Sequence, residues 1–383
     1  MLDPKAEALA KGLIKSYYEK ASGIAPKRIN QREFGFGDFE KKISYRHYAF
    51  NDEAALKRYL AREAPPFASY STAFYQKPDA RPIENKGLLG GEIVFDLDAD
   101  DLQLSCRLEH GSSWVCEKCL SAVKEETIKL VEEFLIPDFG FSEQELNINF
   151  SGNRGYHVHI DSESVEQLSQ EARKEISDYI TANGINMQAF FPTIGMRGVG
   201  LRGPKPTDYG WGGKFARGVI SAINNGVSTL EGLGVDKKTA SMLVRKRASI
   251  IAGITAGNWD TVNIPKKAEF WSNLMKSLAI RQSDSIDKNV TIDMHHLIRL
   301  PNTIHGDTGL VAIKVGTLKD LERFDPMNQA IAFKEGMLKV KTAKVPKFHM
   351  NNQEFGPYES NTVELPTCAA MYLLLKRVAT LSD

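Results

Sequence analysis

The stretch GGEIVFDLDADD, residues 90–101, predicts a buried strand that ends in an acidic loop. Glycines precede its β-branched, aromatic and long apolar residues, and acids follow them, as is typical of such strands. Because side chains alternate along a strand, Asp96 and Asp98 project to one face, roughly 6 to 7 Å apart, and the apolar residues point the other way. Carboxylates at this spacing suit Mg²⁺ or Mn²⁺ in a two-metal site for phosphoryl or nucleotidyl transfer. An acidic loop without a metal is the alternative interpretation of this stretch alone.

The composition indicates an ordinary folded chain without a global charge bias. The 383 residues are 42% hydrophobic and 25% charged, which excludes a disordered protein and leaves room for two domains or for one with an insertion. The 49 Lys and Arg residues nearly balance the 48 Asp and Glu residues, so any site for a polyanion has to be a local patch. The longest apolar run, Cys368 to Leu375, is too short to span a membrane, and the N-terminus lacks the apolar core of a signal peptide. We therefore expect a cytoplasmic protein with no membrane partner.

A group of metal ligands follows the acidic loop within residues 105–120. Its pattern is Cys106-x3-His110-x5-Cys116-x2-Cys119, and the closing CxxC can hold one ion from a tight turn. Four such ligands favour a closed tetrahedral zinc site, a zinc knuckle, with no position left for water. We therefore expect structural rather than catalytic Zn²⁺. Free thiols, with His110 as an ordinary loop residue, are the alternative.

A glycine-containing turn further along the chain predicts an anion-binding site. Residues 146–150 alternate as a strand does, and the segment SGNRGYH, residues 151–157, follows them. The two glycines permit a tight turn whose backbone N–H groups can face an anion, while Ser151, Arg154 and His157 can donate hydrogen bonds to phosphate oxygens. Alone, this segment could be an ordinary hairpin. After an acidic strand it favours a triphosphate pocket.

Residues 162–284 differ in character from the chain on either side of them. Helical segments are predicted there at residues 163–182, 214–224, 236–252 and 266–281. Strand patterns are more frequent before and after this region. We therefore expect a discontinuous α/β core of residues 1–161 and 285–383, which carries residues 162–284 as a helical subdomain.

Further candidate site residues come after the helical region. The α/β character returns at residues 286–291, where Asp287 is a plausible third carboxylate for the metal site. Periodicity does not distinguish Asp287 from the neighbouring aspartates. Arg299 and His305 are plausible phosphate contacts, because both side chains can donate hydrogen bonds to an anion.

The last fifty residues carry a basic stretch and an apolar one. The basic stretch is a candidate for contacts with the phosphate backbone of a nucleic-acid template. It contains Lys334, Lys339, Lys341, Lys344 and Lys347. Residues 366–381 show apolar groups at helical spacing. We predict a helix there that packs either on the protein's own core or on a partner.

Six motifs occur in a fixed order along most of the chain. They are Arg-Glu-Phe-x-Phe from Arg32, the strand that ends with Asp96 and Asp98, the zinc knuckle, the turn segment 151–157, the Asp287 segment, and Leu-Pro-x-x-x-His-x-x-x-Gly from Leu300. In this order they closely resemble the catalytic (small) subunit of archaeal and eukaryotic DNA primases. Each motif is weak or moderate alone, but six in order argue against chance.

The resemblance implies an α/β fold: a primase-type (prim) catalytic core with mixed sheets, a zinc knuckle and an inserted helical subdomain. It implies a triad of catalytic carboxylates that hold two Mg²⁺ or Mn²⁺ ions, namely Asp96, Asp98 and Asp287. The implied triphosphate-binding groups are Ser151, Arg154, His157, Arg299 and His305. Glu33 and Arg46 fall where family members contact the initiating nucleotide or the growing primer. Asn153 stands where some relatives have a second arginine, which leaves one cation fewer in the turn.

By this resemblance we expect a DNA primase, a DNA-directed nucleotidyltransferase that makes short primers for replication from nucleoside triphosphates on a single-stranded DNA template. A large subunit is the expected partner in a heterodimer, because two nucleotides must first be held where no primer exists. One alternative is a primase-like polymerase for repair or for extending existing ends. The other is a non-catalytic, zinc-containing subunit that binds single-stranded nucleic acid.

Overall fold

The computed structural model describes residues 2–111, 114–192, 200–283 and 286–382. These residues form two compact units. The first consists of residues 1–129, 142–174 and 287–383, and the second of residues 130–141 and 175–286. The domain boundaries predicted from the sequence stay a prediction, and the one between residues 284 and 285 lies outside the described residues.

The named strands belong to the first unit, where helices alternate with them. In chain order they are β1 (Phe34–Gly37), β2 (Tyr45–Tyr48), β3 (Phe67–Ser71), β4 (Ala73–Tyr75), β5 (Leu88–Gly91), β6 (Ile93–Asp98), β7 (Leu146–Phe150), β8 (Gly155–Ile160), β9 (Leu297–Arg299), β10 (Lys314–Gly316), β11 (Met337–Thr342), β12 (Lys344–Val345), β13 (Phe348–Met350), β14 (Gln353–Phe355), β15 (Tyr358–Glu359), β16 (Thr362–Pro366) and β17 (Ala379–Leu381). The chain therefore has the α/β character that the sequence predicts.

Helices occur in both units, and α7 to α11 lie in the second. The predicted helix at residues 163–182 is divided into α5 and α6, and the one at residues 236–252 into α9 and α10. No helix in the described part of the chain is both long enough and apolar enough to cross a lipid bilayer. The α-helices are α1 (Pro4–Lys20), α2 (Glu53–Glu63), α3 (Arg107–His110), α4 (Glu117–Lys129), α5 (Glu163–Glu166), α6 (Gln170–Ile180), α7 (Gly210–Asn224), α8 (Val227–Glu231), α9 (Lys237–Arg245), α10 (Arg247–Thr255), α11 (Lys267–Ser283), α12 (Lys288–Ile292), α13 (Leu318–Arg323), α14 (Pro326–Gln329) and α15 (Thr367–Leu375).

The two largest sheets have four strands each, in the orders β2-β1-β3-β9 and β10-β7-β8-β6. A three-stranded sheet, β16-β11-β17, and three strand pairs complete the set among the described residues. Every pairing between these strands is antiparallel, so the prediction of mixed sheets is wrong for the described part of the chain. The residue pattern of one strand carries no information about its neighbour's direction. Antiparallel neighbours such as β7 and β8 need only a short turn between them.

The register of the second four-stranded sheet positions the acidic strand. β6 pairs with β8 so that Asp96 lies opposite His157 and Asp98 opposite Gly155. β7 pairs with the other edge of β8 and puts Asn149 opposite His157. Because side chains alternate along each strand, Asp96, His157 and Asn149 share one face of the sheet. The apolar residues between them are buried on the other face.

The segment around Asp287 is helical rather than extended. Asp287 caps α12, and its side chain accepts a hydrogen bond of 2.8 Å from the backbone N–H of Asn289. The backbone N–H of Asp287 donates to the carbonyl oxygen of Asp96 at 2.9 Å. The sequence predicts α/β character from residue 286 onward without specifying the element, and the structure has helix α12 there. Over six residues a capped helical turn and a short strand have similar apolar patterns.

The first helix has a clear start signal and an apolar face in its sequence. Asp3 caps α1, and Pro4 occupies the first turn, where its missing N–H has no cost. Ala6, Ile14 and Tyr18 are buried on one face of the helix. The helical spacing of these apolar residues in the sequence therefore puts them on the face that packs against the core.

The C-terminal helix is shorter than the prediction for residues 366–381. α15 ends at Leu375, and Arg377 has a φ of +60°, a left-handed conformation that stops a helix. The chain then forms β17, which pairs with β11. Every residue of α15 is buried, and its neighbours are β11, β16 and β17. Of the two predicted alternatives, this helix therefore packs on the protein's own core.

The second unit has an aromatic core and a buried ion pair. Trp259 and Trp271 are fully buried, with ring centroids 5.1 Å apart. Lys214 Nζ lies 2.5 Å from Asp138 Oδ2, and the Tyr179 hydroxyl donates to the same carboxylate at 2.9 Å. Sharing one carboxylate between two donors compensates for the loss of water around a buried charge.

Candidate active site

Acidic residues at the end of β6 and the start of α12 form the centre of the candidate site. Asp96 and Asp98 lie on one face of β6, and an isolated β-bridge joins Asp96 to Asp287. Burial raises the pKa of Asp96 to about 7, and the negative charges of Asp98, Asp287 and Asp101 add to this rise. Their oxygens are hard ligands, and a divalent cation between them would relieve the repulsion. These residues therefore fit a Mg²⁺ or Mn²⁺ site.

Arg154 is tied to the same acidic residues. Its Nε lies 2.8 Å from Asp98 Oδ1, and its Nη2 pairs with Asp100. The backbone N–H of Asp100 donates to Asp98 Oδ1 at 2.9 Å. The structure thus brings a predicted phosphate ligand, Arg154, into contact with a predicted metal ligand, Asp98.

The turn between β7 and β8 is held by its own hydrogen bonds. Ser151 Oγ accepts hydrogen bonds from the backbone N–H groups of Gly155 at 3.2 Å and Asn153 at 3.4 Å. Gly152 has a φ of +86°, and a Cβ atom there would lie 2.8 Å from the Cβ of His305. Position 152 therefore requires glycine both for its backbone conformation and for the close approach of His305.

Three predicted phosphate contacts are buried next to this turn and the acids: His157, Arg299 and His305. His157 Nε2 lies 3.5 Å from Asp96 Oδ1, and its Nδ1 has no hydrogen-bond partner among the described residues. Arg299 Nε also lacks one in that part of the chain, while Arg299 Nη1 donates to a backbone carbonyl at 3.2 Å. Buried donors without partners are costly, and an anion would satisfy them.

The same burial keeps the two imidazoles neutral. Burial lowers the pKa of His157 well below its ordinary value, and the positive charge of Arg299 adds to the effect. Burial and Arg299 act on the pKa of His305 in the same direction. Burial also lowers the pKa of Arg299, to about 10. At neutral pH the site therefore holds one guanidinium and two neutral imidazole donors.

Glu33 and Arg46 form an ion pair, but only one of them reaches solvent. Arg46 Nε lies 2.8 Å from Glu33 Oε1, and the backbone N–H of His47 donates to the same oxygen at 3.0 Å. Lys86 Nζ lies 3.2 Å from Glu33 Oε2. The side chains of Glu33 and Lys86 are 0% exposed, whereas that of Arg46 is 36% exposed. A ligand can therefore reach Arg46, and Glu33 can act only through Arg46.

A second buried cluster stiffens the region beside β6. Glu92 Oε1 lies 2.8 Å from Arg32 Nη1, and His159 Nδ1 donates to Glu92 Oε2 at 3.1 Å. Burial by itself would raise the pKa of Glu92, but the charges of Arg32 and His159 outweigh it and bring the pKa to about 2. This cluster joins the segment before β1 to β8.

The four predicted zinc ligands come together with the geometry of a tetrahedral site. The ligand atoms of Cys106, His110, Cys116 and Cys119 all lie within 4.8 Å of one another. Cys119 Sγ is 3.5 Å from Cys106 Sγ, 3.7 Å from Cys116 Sγ and 3.5 Å from His110 Nε2. A zinc ion with Zn–S bonds of about 2.3 Å holds two sulfurs about 3.8 Å apart, which is close to these values. The cluster is therefore compatible with a structural Zn²⁺.

The imidazole of His110 is oriented for metal binding. Its Nδ1 lies 2.8 Å from the carbonyl oxygen of Gly111, to which it donates, so Nε2 faces the sulfurs. Metal-bound histidines commonly donate their second ring N–H in this way. The alternative in which His110 is only a loop residue does not explain this orientation.

With the site geometry established, the chain can be compared with known proteins. The sequence model of a family described as DNA primase small subunit matches residues 95–317. The chain belongs to this family. The DNA primase small subunit PriS of Methanothrix thermoacetophila is 31% identical, over 99% of each chain. That of Methanococcoides burtonii is also 31% identical over 99% of each chain, and that of Nitrosopumilus maritimus is 26% identical over 96% of each.

Family membership confirms the resemblance that the sequence motifs indicate, and with it the enzyme class, a DNA-directed nucleotidyltransferase. The matched range of the DNA primase small subunit family starts just before Asp96 and ends after His305. It includes the zinc ligands, the turn between β7 and β8, and Asp287. Glu33 and Arg46 precede it, although the full-length relatives cover them.

Sequence reasoning missed two lysines whose charges act on groups of this candidate site. The charge of Lys42 acts on Asp96, His157 and His305, and Lys376 Nζ lies 3.2 Å from Asn153 Oδ1. Lys42 lies in the loop between β1 and β2, and no motif distinguishes it from its neighbour Lys41. Lys376 is 223 residues from Asn153 along the chain, so no local pattern could connect them.

Proposed function

We propose that this protein is the catalytic subunit of a DNA primase, which makes short primers for replication from nucleoside triphosphates on a single-stranded DNA template. One observation carries the proposal: three carboxylates meet three buried donors at one site. The carboxylates are those of Asp96, Asp98 and Asp287, and the donors are His157, Arg299 and His305. Nucleotidyl transfer needs both a metal-binding group of acids and a site for the triphosphate.

Asp96, Asp98 and Asp287 would hold two divalent cations, Mg²⁺ or Mn²⁺. When bound, such ions lower the pKa of the attacking 3′-hydroxyl group and neutralise charge on the triphosphate. The protein's part is to fix the oxygens. The strand β6 holds two carboxylates on one face, and the cap of α12 holds the third by a backbone hydrogen bond to Asp96. The oxygens are therefore in place before the reaction begins, so the reaction does not have to bring them together.

The buried donors would bind the triphosphate. His157 Nδ1 and Arg299 Nε have no partner among the described residues, so phosphate oxygens would satisfy them without breaking a bond. Ser151 would contribute through the turn that it holds. Arg154 would turn from its carboxylate partners to the phosphates once cations neutralise those acids. The negative charge of the phosphates is thereby met by fixed groups rather than by water.

Arg46 would contact the initiating nucleotide or the growing primer. Its guanidinium is partly exposed, and Glu33 fixes it through two hydrogen bonds of 2.8 and 3.1 Å. Glu33 would therefore be a positioning residue rather than a contact. Preorganising a flexible arginine lowers the conformational entropy lost on binding.

Several further features belong to the same proposal. A large subunit would be the partner in a heterodimer, since the relatives carry the name small subunit. Single-stranded DNA would be the template. The zinc held by the Cys and His cluster would be structural, because all four ligand positions come from the protein. The prim core would consist of residues 1–161 and 285–383, with residues 162–284 as its inserted helical subdomain.

The test is nucleotide incorporation by Asp96→Asn. We expect incorporation on a single-stranded template to fall by roughly a hundredfold or more, because one metal ligand is lost. Circular dichroism and single-strand binding should stay at their wild-type values. Glu19→Gln removes an exposed carboxylate of α1 and serves as the matched control. Wild-type incorporation by Asp96→Asn would rule out the metal site.

The same assay separates the alternative functions. Synthesis without a supplied primer, measured with and without a large subunit, distinguishes a primase from an end-extending polymerase. Dependence on a supplied primer under both conditions would favour the repair or end-extending enzyme. Binding of single strands without any incorporation would favour the non-catalytic subunit.

A further inference from the structure

The end of helix α15 carries a lysine beside the turn between β7 and β8. Lys376 follows directly after the helix and is half-buried. Its Nζ donates a hydrogen bond of 3.2 Å to the side-chain oxygen of Asn153, inside the turn. Every residue of α15 is buried, so the backbone that carries Lys376 is firmly anchored. The ammonium group is thus held at a fixed place beside the candidate phosphate site.

The charges around Lys376 are those of the site itself. Burial lowers the pKa of Lys376 to about 8, while the carboxylates of Asp307 and Asp98 oppose this fall. The charge of Lys376 in turn contributes to the low pKa of His305. An ammonium group that has lost part of its water interacts strongly with a multivalent anion.

The next residue, Arg377, anchors the loop between β1 and β2. Arg377 Nη2 donates to the carbonyl oxygen of Phe39 at 2.7 Å and lies 3.4 Å from Glu40 Oε1. The same loop carries Lys42, whose positive charge opposes the rise in the pKa of Asp96 and lowers the pKa of His305. The C-terminal segment therefore holds Lys376 beside the turn and anchors the loop that carries Lys42.

We propose that Lys376 binds a phosphate group of the incoming nucleoside triphosphate. This inference rests on the proposed function, because that function supplies the triphosphate. Asn153 is uncharged, and Lys376 places a positive charge next to it, in addition to that of Arg154 in the same turn. Lys376 is a binding residue in this proposal, and the two metal ions and the acids keep their roles.

Steady-state kinetics on a primed template test the proposal without requiring initiation. For Lys376→Gln we expect the KM for the nucleoside triphosphate to rise by roughly tenfold or more, as for loss of a charge-assisted hydrogen bond, with little change in kcat. Lys376→Arg keeps the charge and should recover most of the affinity. Lys15→Gln, on the exposed face of α1, is the matched control. An unchanged KM in an active Lys376→Gln enzyme would overturn the inference and leave the proposed function intact.

A second measurement uses only the wild-type protein and does not depend on catalysis. Lysines are acylated with acetic anhydride and located by mass spectrometry, with and without inorganic tripolyphosphate or ATP. We expect both anions to protect Lys376 severalfold, AMP to protect it less, and Lys15 to be labelled equally in all samples. Equal labelling of Lys376 with and without ATP would overturn the inference. If the wild-type protein incorporated no nucleotide, the proposed function itself would be wrong, and with it the basis of the inference about Lys376.

Discussion

The substitution Glu33→Gln tests how far one buried carboxylate organises the region around Arg46. The oxygens of Glu33 face Arg46 and Lys86, and the side chains of Glu33 and Lys86 are both fully buried. Removing one partner of a buried ion pair costs about 3 to 5 kcal/mol, because the remaining charge is left without compensation. Lys86 is that remaining charge, since Arg46 can turn towards solvent and Lys86 cannot. Burial already lowers the pKa of Lys86, and the charge of Glu33 opposes that fall.

We expect the unfolding temperature of Glu33→Gln to fall by on the order of 10 °C, as this loss of free energy implies for a unit of this size. Urea denaturation followed by circular dichroism measures the free energy directly. In Glu33→Gln/Lys86→Met the unpaired charge is absent, so part of the stability should return. The return is incomplete because Lys86 also donates to the carbonyl of Pro78. Nucleotide binding through Arg46 should stay impaired in both variants, since both lack its carboxylate partner.

The control is Glu63→Gln, which breaks an exposed ion pair with Arg62 and should cost about 0 to 1 kcal/mol. If Glu33→Gln unfolds at the same urea concentration as the control, the buried carboxylate does not organise this region. If the double variant is no more stable than the single one, the cost does not come from an unpaired Lys86. Full nucleotide binding by the double variant would show that Arg46 needs no positioning by Glu33.

The remaining predictions concern acid stability, zinc and the turn. The folded pKa of Glu92, about 2, lies below its ordinary value of 4.5, so its contribution to stability is present above pH 4.5 and is lost as the pH falls to about 2. The difference in unfolding free energy between wild type and Glu92→Gln should therefore shrink by about 3 kcal/mol over that range, and a constant difference would contradict the assignment. Wild-type protein should contain about one equivalent of zinc by elemental analysis, and Cys116→Ser/Cys119→Ser should lose it and unfold at a lower temperature. Gly152→Ala should lower the free energy of unfolding by about 1 to 3 kcal/mol, because the backbone is left-handed there and the new Cβ would meet His305. It should also weaken triphosphate binding. An unchanged unfolding temperature and an unchanged affinity would refute this.

Much of the candidate site could be predicted from the sequence because its parts are local. The acids of β6 are two residues apart, and the alternation of a strand puts them on one face whatever lies beside it. The zinc ligands fall within one short segment, where spacing alone restricts how they can meet. The glycine at position 152 likewise indicates a turn, because glycine readily adopts the left-handed backbone conformation that this turn has. In each case a few consecutive residues contain the whole pattern.

Other parts of the site could not be predicted, because they depend on which distant segments pair. Periodicity does not separate Asp287 from the neighbouring aspartates, and although the family resemblance singles it out, only the structure shows the backbone hydrogen bond that brings it to Asp96. The burial of Glu33 depends on Lys86, a contact between segments that no spacing rule connects. The apolar pattern of residues 366–381 predicts one helix, whereas pairing of β17 with β11 ends it early.

The sequence by itself therefore determined the family, the acidic strand, the turn and the cluster of Cys and His residues that is compatible with zinc. Only the tertiary structure decided that Asp287 bonds to Asp96, that Glu33 is buried, and that Lys376 lies beside Asn153. The physical reason is that local periodicity fixes which face a side chain takes, but not which face of another element it meets. Which elements meet is decided by burial and hydrogen bonding over the whole chain. The residues of the acidic strand alone do not contain that information.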